Sequence, residues 1–168
     1  LPGITRMPDR HLLTPRTLDD MLLYAMWHLQ TSAGQVVTRV VEGEFGVTRR
    51  QWRVLALLAT HEGVLSSQLA ERSGLDRAQT SRALTLLADK GLVERTPRPS
   101  DRREVLLHLS EAGRALYAAL LPRIIEINRQ LLSTLRADEV LALEGFLQRL
   151  QRQAEAMNAP MRRTQQHP

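Results

Sequence analysis

Apolar residues recur at helical spacing through most of this 168-residue chain, and the pattern breaks clearly once, after Gly91. There Leu92-Val93-Glu94-Arg95 and Val105-Leu106-Leu107-His108-Leu109 form two short β-type runs, one on each side of a Pro-, Arg- and Ser-rich connection. Such a pair reads as a β-hairpin. Its connecting residues 96–103 include Pro97, Pro99 and the charged Arg98, Asp101, Arg102 and Arg103, so they cannot be core and must project into solvent or a partner. Immediately before the break lie two short helical segments. The first runs from about Ser66 to Ser73, with Leu69 and Ala70 facing inward, and ends at Gly74, where left-handed backbone is permitted. The second opens on Asp76 with Gln79 three residues on, a capping box, and stops at Gly91. Two helices joined by the tight Gly74-Leu75 turn make a helix-turn-helix, and the hairpin adds a wing.

Longer helices flank this motif. Thr17 followed by Asp20 marks a helix start, after which Leu22, Met26, Leu29, Ala33, Val36, Val37 and Val40 share a helical period. Thr48 and Gln51 form another capping box, opening a helix with Trp52, Leu55, Ala56, Leu58 and Ala59 as its apolar positions. Ser110 caps a long helix carrying Leu116, Leu120, Ile124, Ile127, Leu131 and Leu135, in which Pro122 implies a bend. A last helix spans roughly residues 137–157. The expected fold is therefore mainly α with a small β-hairpin wing. A helical dimerisation region (residues 17–47 and 110–158) surrounds a winged helix-turn-helix (48–109), between a flexible arm (1–16) and a flexible tail (159–168).

Composition narrows the function. No cysteine is present, which removes disulfides, thiolate metal sites and thiol nucleophiles; no histidine pair has metal-ligand spacing, so no metal and no cofactor is expected. No stretch approaches the roughly 20 apolar residues of a membrane span, and a cytoplasmic home is expected. Of 23 basic residues all but Lys90 are arginine, and the net charge is +5. Most of that excess is local, because Arg72, Arg77, Arg82, Lys90, Arg95, Arg98, Arg102 and Arg103 face only Asp76, Asp89, Glu94 and Asp101 in the same stretch. A localised basic excess is the electrostatic footprint of a nucleic-acid binder, although a solvated surface fits it too.

On the helix after Asp76, Ala83, Leu84 and Leu87 form a packing face. Arg77, Ala78, Gln79, Ser81, Arg82 and Thr85 form the opposite one. Short and hydrogen-bonding side chains at a helix N-terminus suit a major groove about 12 Å wide, where Gln pairs with adenine and Arg with guanine. An ordinary amphipathic surface helix has the same pattern.

The residues Gly74-Leu75-Asp76-Arg77, Ser81-Arg82, Leu87, Lys90-Gly91-Leu92-Val93-Glu94-Arg95, Asp101-Arg102-Arg103 and Leu109-Ser110-Glu111-Ala112-Gly113 together resemble the multiple-antibiotic-resistance regulator (MarR) family. The resemblance covers most of the chain and implies a homodimeric, sequence-specific transcriptional regulator of double-stranded DNA, by the family's usual mode a repressor on a pseudo-palindromic operator. It also implies that the wing arginine, here Arg103, enters the minor groove while Asp101 holds it in place, with Arg98 and Arg102 beside them. Two positions depart from the family pattern: Leu65 and Arg136 stand where helix caps are usual. Family members commonly bind small aromatic effectors, and Tyr24, His28, Arg49, Trp52 and Arg53 are the residues that would supply an aromatic wall and a guanidinium for an aromatic carboxylate. Trp52 reads more readily as core, and Tyr24 with His28 reads equally as dimer packing. Enzyme motifs such as G-x-S-x-G, a phosphate-binding glycine loop and H-E-x-x-H are absent. The remaining rivals are a constitutive architectural DNA-binding protein with no effector and a protein-interaction module that uses the winged fold.

Overall fold

The computed structural model describes residues 12–164, apart from the side chains of Arg102 and of residues 159–164. Most of the expected arm, and residues 165–168 of the expected tail, lie outside that range. The elements in order are a 3₁₀ turn Leu18–Asp20, α1 Leu22–Gly43, α2 Arg49–Thr60, β1 Val64–Leu65, α3 Ser66–Ser73, α4 Arg77–Asp89, β2 Val93–Arg98, β3 Asp101–Leu109, α5 Glu111–Leu132 and α6 Ala137–Thr164. They fall into two compact units, one ending at Ile127 and the other beginning at Asn128.

In the first unit the core follows from the apolar periods. Val54, Leu55 and Leu58 of α2, Leu69 of α3, Ala83, Leu84 and Leu87 of α4, and Val93, Leu107 and Leu109 of the wing base are all buried against one another. A second cluster joins Val41, Val47 and Leu120, and Trp52, Leu92 and Leu116 pack against both. Trp52 stacks on Tyr117, with ring centroids 5.7 Å apart, so the core reading of this tryptophan is the one its packing satisfies.

The Thr48–Gln51 capping box forms as expected: Gln51 N–H donates to the Thr48 hydroxyl (3.2 Å) and Thr48 N–H to Gln51 Oε1 (2.9 Å). The Thr17–Asp20 pair also forms, but as a separate 3₁₀ turn, with the Asp20 carboxylate accepting the N–H groups of Arg16 and Thr17. The long first helix therefore begins only at Leu22, after an extended Met21. Two of its anticipated apolar positions, Met26 and Leu29, face outward.

A third strand, absent from the sequence reading, pairs Val64 and Leu65 with Leu107 and Leu106, giving the antiparallel order β1-β3-β2. This explains the unusual cap. Leu65 stays at the start of α3 because it also serves the sheet, and Gln68 reaches back to accept its N–H at 3.0 Å. Strand pairing continues almost to the wing tip, so the connection is shorter than residues 96–103. Only Pro99 and Ser100 lie between β2 and β3, and the register shifts between Pro97 and Arg98.

The wing is tied to α5 at one junction. Ser110 N–H donates to the Leu92 carbonyl (3.1 Å), its hydroxyl donates to the Gly91 carbonyl (2.6 Å), and the same oxygen accepts Gly113 N–H (3.0 Å). Gly113 sits so close that a Cβ there would stand 2.0 Å from the Leu92 carbonyl oxygen. Bidentate pairs from Arg114 to Glu62 and from Arg123 to Glu44 add surface ties along α5. Helix α5 runs on through Pro122 as one element.

In the second unit, α6 extends to Thr164, past residue 157 where the sequence suggests its end and into the stretch expected as tail. Pro160 lies within that added stretch, where it removes one N–H donor from the helical ladder. Arg136 replaces a cap side chain by other means: its N–H donates to Glu139 (2.8 Å) while its guanidinium pairs with Asp138.

The junction makes a quantitative expectation. Gly113→Ala drives a methyl into backbone and should lower the unfolding free energy by about 3 kcal/mol. Thr48→Ala, which removes one half of a cap, should cost about 1 kcal/mol. Urea unfolding of both variants gives the comparison, and equal effects would contradict the close-approach reading of Gly113.

Candidate nucleic-acid interface

Helix α4 divides its residues as its sequence suggests. Thr80, Ala83, Leu84 and Leu87 are buried, while Arg77, Ala78, Ser81, Arg82 and Thr85 form a continuous exposed face. Gly74, with φ of +63°, turns the chain from α3 into this helix, and the Ser73 hydroxyl accepts Leu75 N–H (3.1 Å) to fix the turn. Thr80 is fully buried and donates its hydroxyl to the Asp76 carbonyl.

Gln79 departs from the expected arrangement. Asp76 caps α4 by accepting Gln79 N–H at 2.6 Å, but the Gln79 side chain donates to the same carboxylate (2.5 Å) instead of accepting the Asp76 N–H. Gln79 is thereby half-buried on the flank of α4, beside Thr48 and Arg50 at the start of α2, rather than on the outward face. These bonds, chiefly the backbone one from Gln79, hold the Asp76 carboxyl below the usual carboxylate range, assisted by the nearby Arg82 charge.

In the wing, Arg103 is exposed, and Asp101 contacts it through the backbone, accepting Arg103 N–H at 3.0 Å. The aspartate thus fixes the local turn of the strand that carries the arginine, through the backbone and not through the guanidinium in this contact. Arg98 forms an ion pair with Glu104, which offsets part of its charge. Arg102 has no described side chain. Lys90, counted in the basic stretch, reaches away from it to donate to the Gly46 carbonyl (2.5 Å) and ties the end of α4 to the α1–α2 loop.

Of the residues suggested for a small-molecule pocket, Arg49 and Arg53 stand together between two clefts beneath α1. The larger, about 540 Å³, is lined by Trp27, Gln30 and Thr31 of α1, Glu42, the Thr48–Arg50 stretch, Arg53, Leu75 and Gln79. The smaller, about 360 Å³, is lined by Val37, Arg49, Trp52, Arg53, Ala56, Leu57 and Ile124. Tyr24 and His28 instead pack around Trp27, with ring centroids 5.5 Å and 4.8 Å from it, and it is Trp27 that supplies the wall of the larger cleft. Sequence reasoning missed Trp27; its position three residues after Tyr24 and one before His28 on a helix was the available signal. Arg50 was missed as well, although it sits between two residues of the proposed set.

Comparison with known proteins matches residues 45–104 to the model of the MarR family. The multiple antibiotic resistance protein MarR of Escherichia coli is 30% identical over 105 residues, covering 62% of this chain and 73% of that protein. A crystal structure of a mutant of the same E. coli protein complexed with operator DNA superposes with a TM-score of 0.70 at 25% identity, covering 77% of this chain and 92% of that one. The PcaV transcriptional regulator of Streptomyces coelicolor, in complex with its natural ligand, gives a TM-score of 0.72 at 26% identity, covering 84% and 99%.

The cap of α4 should depend on pH with a defined sign. A lowered folded pKa means that the stabilisation by Asp76 is present above the normal carboxylate pKa and is lost as pH falls through the lowered one. Hydrogen exchange at the Gln79 amide should therefore lose protection on acidification in the wild type. In Asp76→Asn it should stay flat through the same range, and an identical acid dependence in both would contradict this assignment.

Proposed function

Because the chain belongs to the MarR family of transcriptional regulators, we propose that it is a homodimeric repressor that reads duplex DNA with the exposed face of α4 and the tip of the wing. One observation carries this reading. The basic and hydroxyl side chains Arg77, Ser81, Arg82 and Thr85 lie outward on the same helix whose opposite face is locked into the core. A rigidly seated helix with a short, hydrogen-bonding outer face is what a major groove admits. Arg82 reads a guanine edge, Arg77 and Ser81 meet phosphates, and Ala78 and Thr85 leave room for close approach. Arg103 enters the minor groove, where narrow geometry concentrates negative potential. Gln79, turned to the flank, is secondary in base reading.

A partner subunit covers the apolar side chains that each unit leaves exposed: Leu23, Met26 and Leu29 in the first, and Leu141, Phe146, Leu147 and Leu150 in the second. A two-fold dimer spaces its recognition helices about one DNA turn apart, hence a pseudo-palindromic operator in the cytoplasm of a bacterial cell. The effector is a small aromatic carboxylate held by Arg49 and Arg53. The PcaV structure, in complex with its natural ligand, supports the presence of an effector, and the paired guanidinium groups beneath α1 support its negative charge.

Selection of duplexes from a random pool, followed by titration, tests the reading. Arg103→Ala should weaken binding to every duplex, whereas Arg82→Ala should cost about 1–3 kcal/mol on the selected site and relax preference at one base pair. If excess nonspecific DNA displaces the protein equally from all duplexes, it is an architectural binder instead.

A further inference from the structure

Strand pairing in the wing is interrupted at one place. Pro97 faces Val105 while the next residue, Arg98, faces Asp101, so Arg102, Arg103 and Glu104 have no register partner on β2 and form a bulge on β3. A carboxylate holds each end of it. At the start Asp101 accepts the N–H of Arg103 at 3.0 Å, and at the end Glu104 accepts from Nη1 of Arg98 on the opposite strand. A bulge re-aims the side chains it carries, and here it presents the exposed Arg103.

Arg98 is well placed to keep this pair. It stands between Pro97 and Pro99, and a proline ring confines both its own φ and the backbone of the residue before it. The strand thus presents a guanidinium with little backbone freedom left to lose, which removes part of the entropy cost that weakens most exposed pairs. The side chains of Arg98 and Glu104 remain 45% and 37% exposed, so the pair lies outside the core. Its place is at the wing tip, where only Pro99 and Ser100 separate the two strands.

A wing that meets a polyanion gains from each free guanidinium, because every phosphate it neutralises releases counterions. Glu104 opposes that gain twice, by occupying Arg98 and by setting a negative charge beside the phosphates. We propose that Glu104 limits the affinity of the wing for duplex DNA by holding the Arg98 guanidinium off the phosphate backbone. This rests on the proposed role of the wing in DNA binding and goes further, because it assigns a residue that restrains binding. Phosphate contacts carry no base information, so the restraint acts on every duplex alike and leaves base preference to α4.

The full chain, titrated with its selected duplex and with a random duplex of equal length at salt concentrations from about 50 to 200 mM, tests this. Glu104→Gln should tighten binding to both duplexes by the same factor, about threefold to tenfold near 0.1 M salt. It should also steepen the dependence of log K on log salt by about 0.9, the increment of one phosphate contact. In an Arg98→Gln background the same replacement delivers no guanidinium and should leave that slope unchanged. Glu94→Gln, an equal change of charge near the wing base, where Glu94 faces His108, should alter affinity less than about twofold. Unchanged or weaker binding by Glu104→Gln overturns the inference, and so does equal steepening with and without Arg98. If Arg103→Ala still weakens binding in those cases, the role of the wing stands without the restraint. An Arg103→Ala chain that binds every duplex like the wild type overturns both.

Discussion

The winged module depends on the contact between the Leu92 carbonyl and the first turn of α5. Ser110 binds both carbonyls that precede the wing, and Gly113 allows the helix to lie against them with no intervening side chain. Everything that faces DNA in the proposed account hangs from this point. Strand β2 leaves it from Val93, β3 returns to it at Leu109, and both residues are buried beneath α4. The outward face of α4 and the wing tip thus share one rigid base. The motif Gly91-Leu92 followed by Ser110-x-x-Gly113, seen first only as family texture, has a mechanical cause.

Charge in this protein is divided by task. Two cations of the basic stretch are already committed, Arg98 to Glu104 at the wing edge and Lys90 to the Gly46 carbonyl at the end of α4. Arg114 and Arg123 lie outside the stretch and pin α5 to Glu62 and Glu44, as exposed pairs of modest individual worth. What remains outward on α4 and the wing is a smaller set, including Arg77, Arg82 and Arg103. Net charge therefore overstates the outward basic surface of α4 and the wing, as the Arg98–Glu104 pair shows at the wing edge.

Much of the architecture was legible in the chain. Capping boxes, the glycine turn at Gly74 and the two β-type runs placed the winged helix-turn-helix, because each is a local rule with a local cause. The failures came where a residue serves two elements. Leu65 belongs to a two-residue strand and to a helix start, and no period is detectable in two residues. Gln79 matched a capping box, but its amide turned to the Asp76 carboxylate, and that choice depends on the neighbouring start of α2. Trp27 was passed over for Tyr24 and His28 because spacing alone does not say which ring of three faces a cleft. Met26 and Leu29 fit a helical stripe, yet face outward within the single chain.

In the proposed function α4 and the wing, held on one base, form the surface that meets duplex DNA. Backbone amide shifts recorded on the full-length protein during titration with its selected duplex test it most directly. The largest perturbations should fall at Arg77, Ser81, Arg82 and Thr85 and at Asp101 and Arg103, with α6 left nearly unchanged. Perturbations centred on α6, or absent from the outward face of α4, would contradict it.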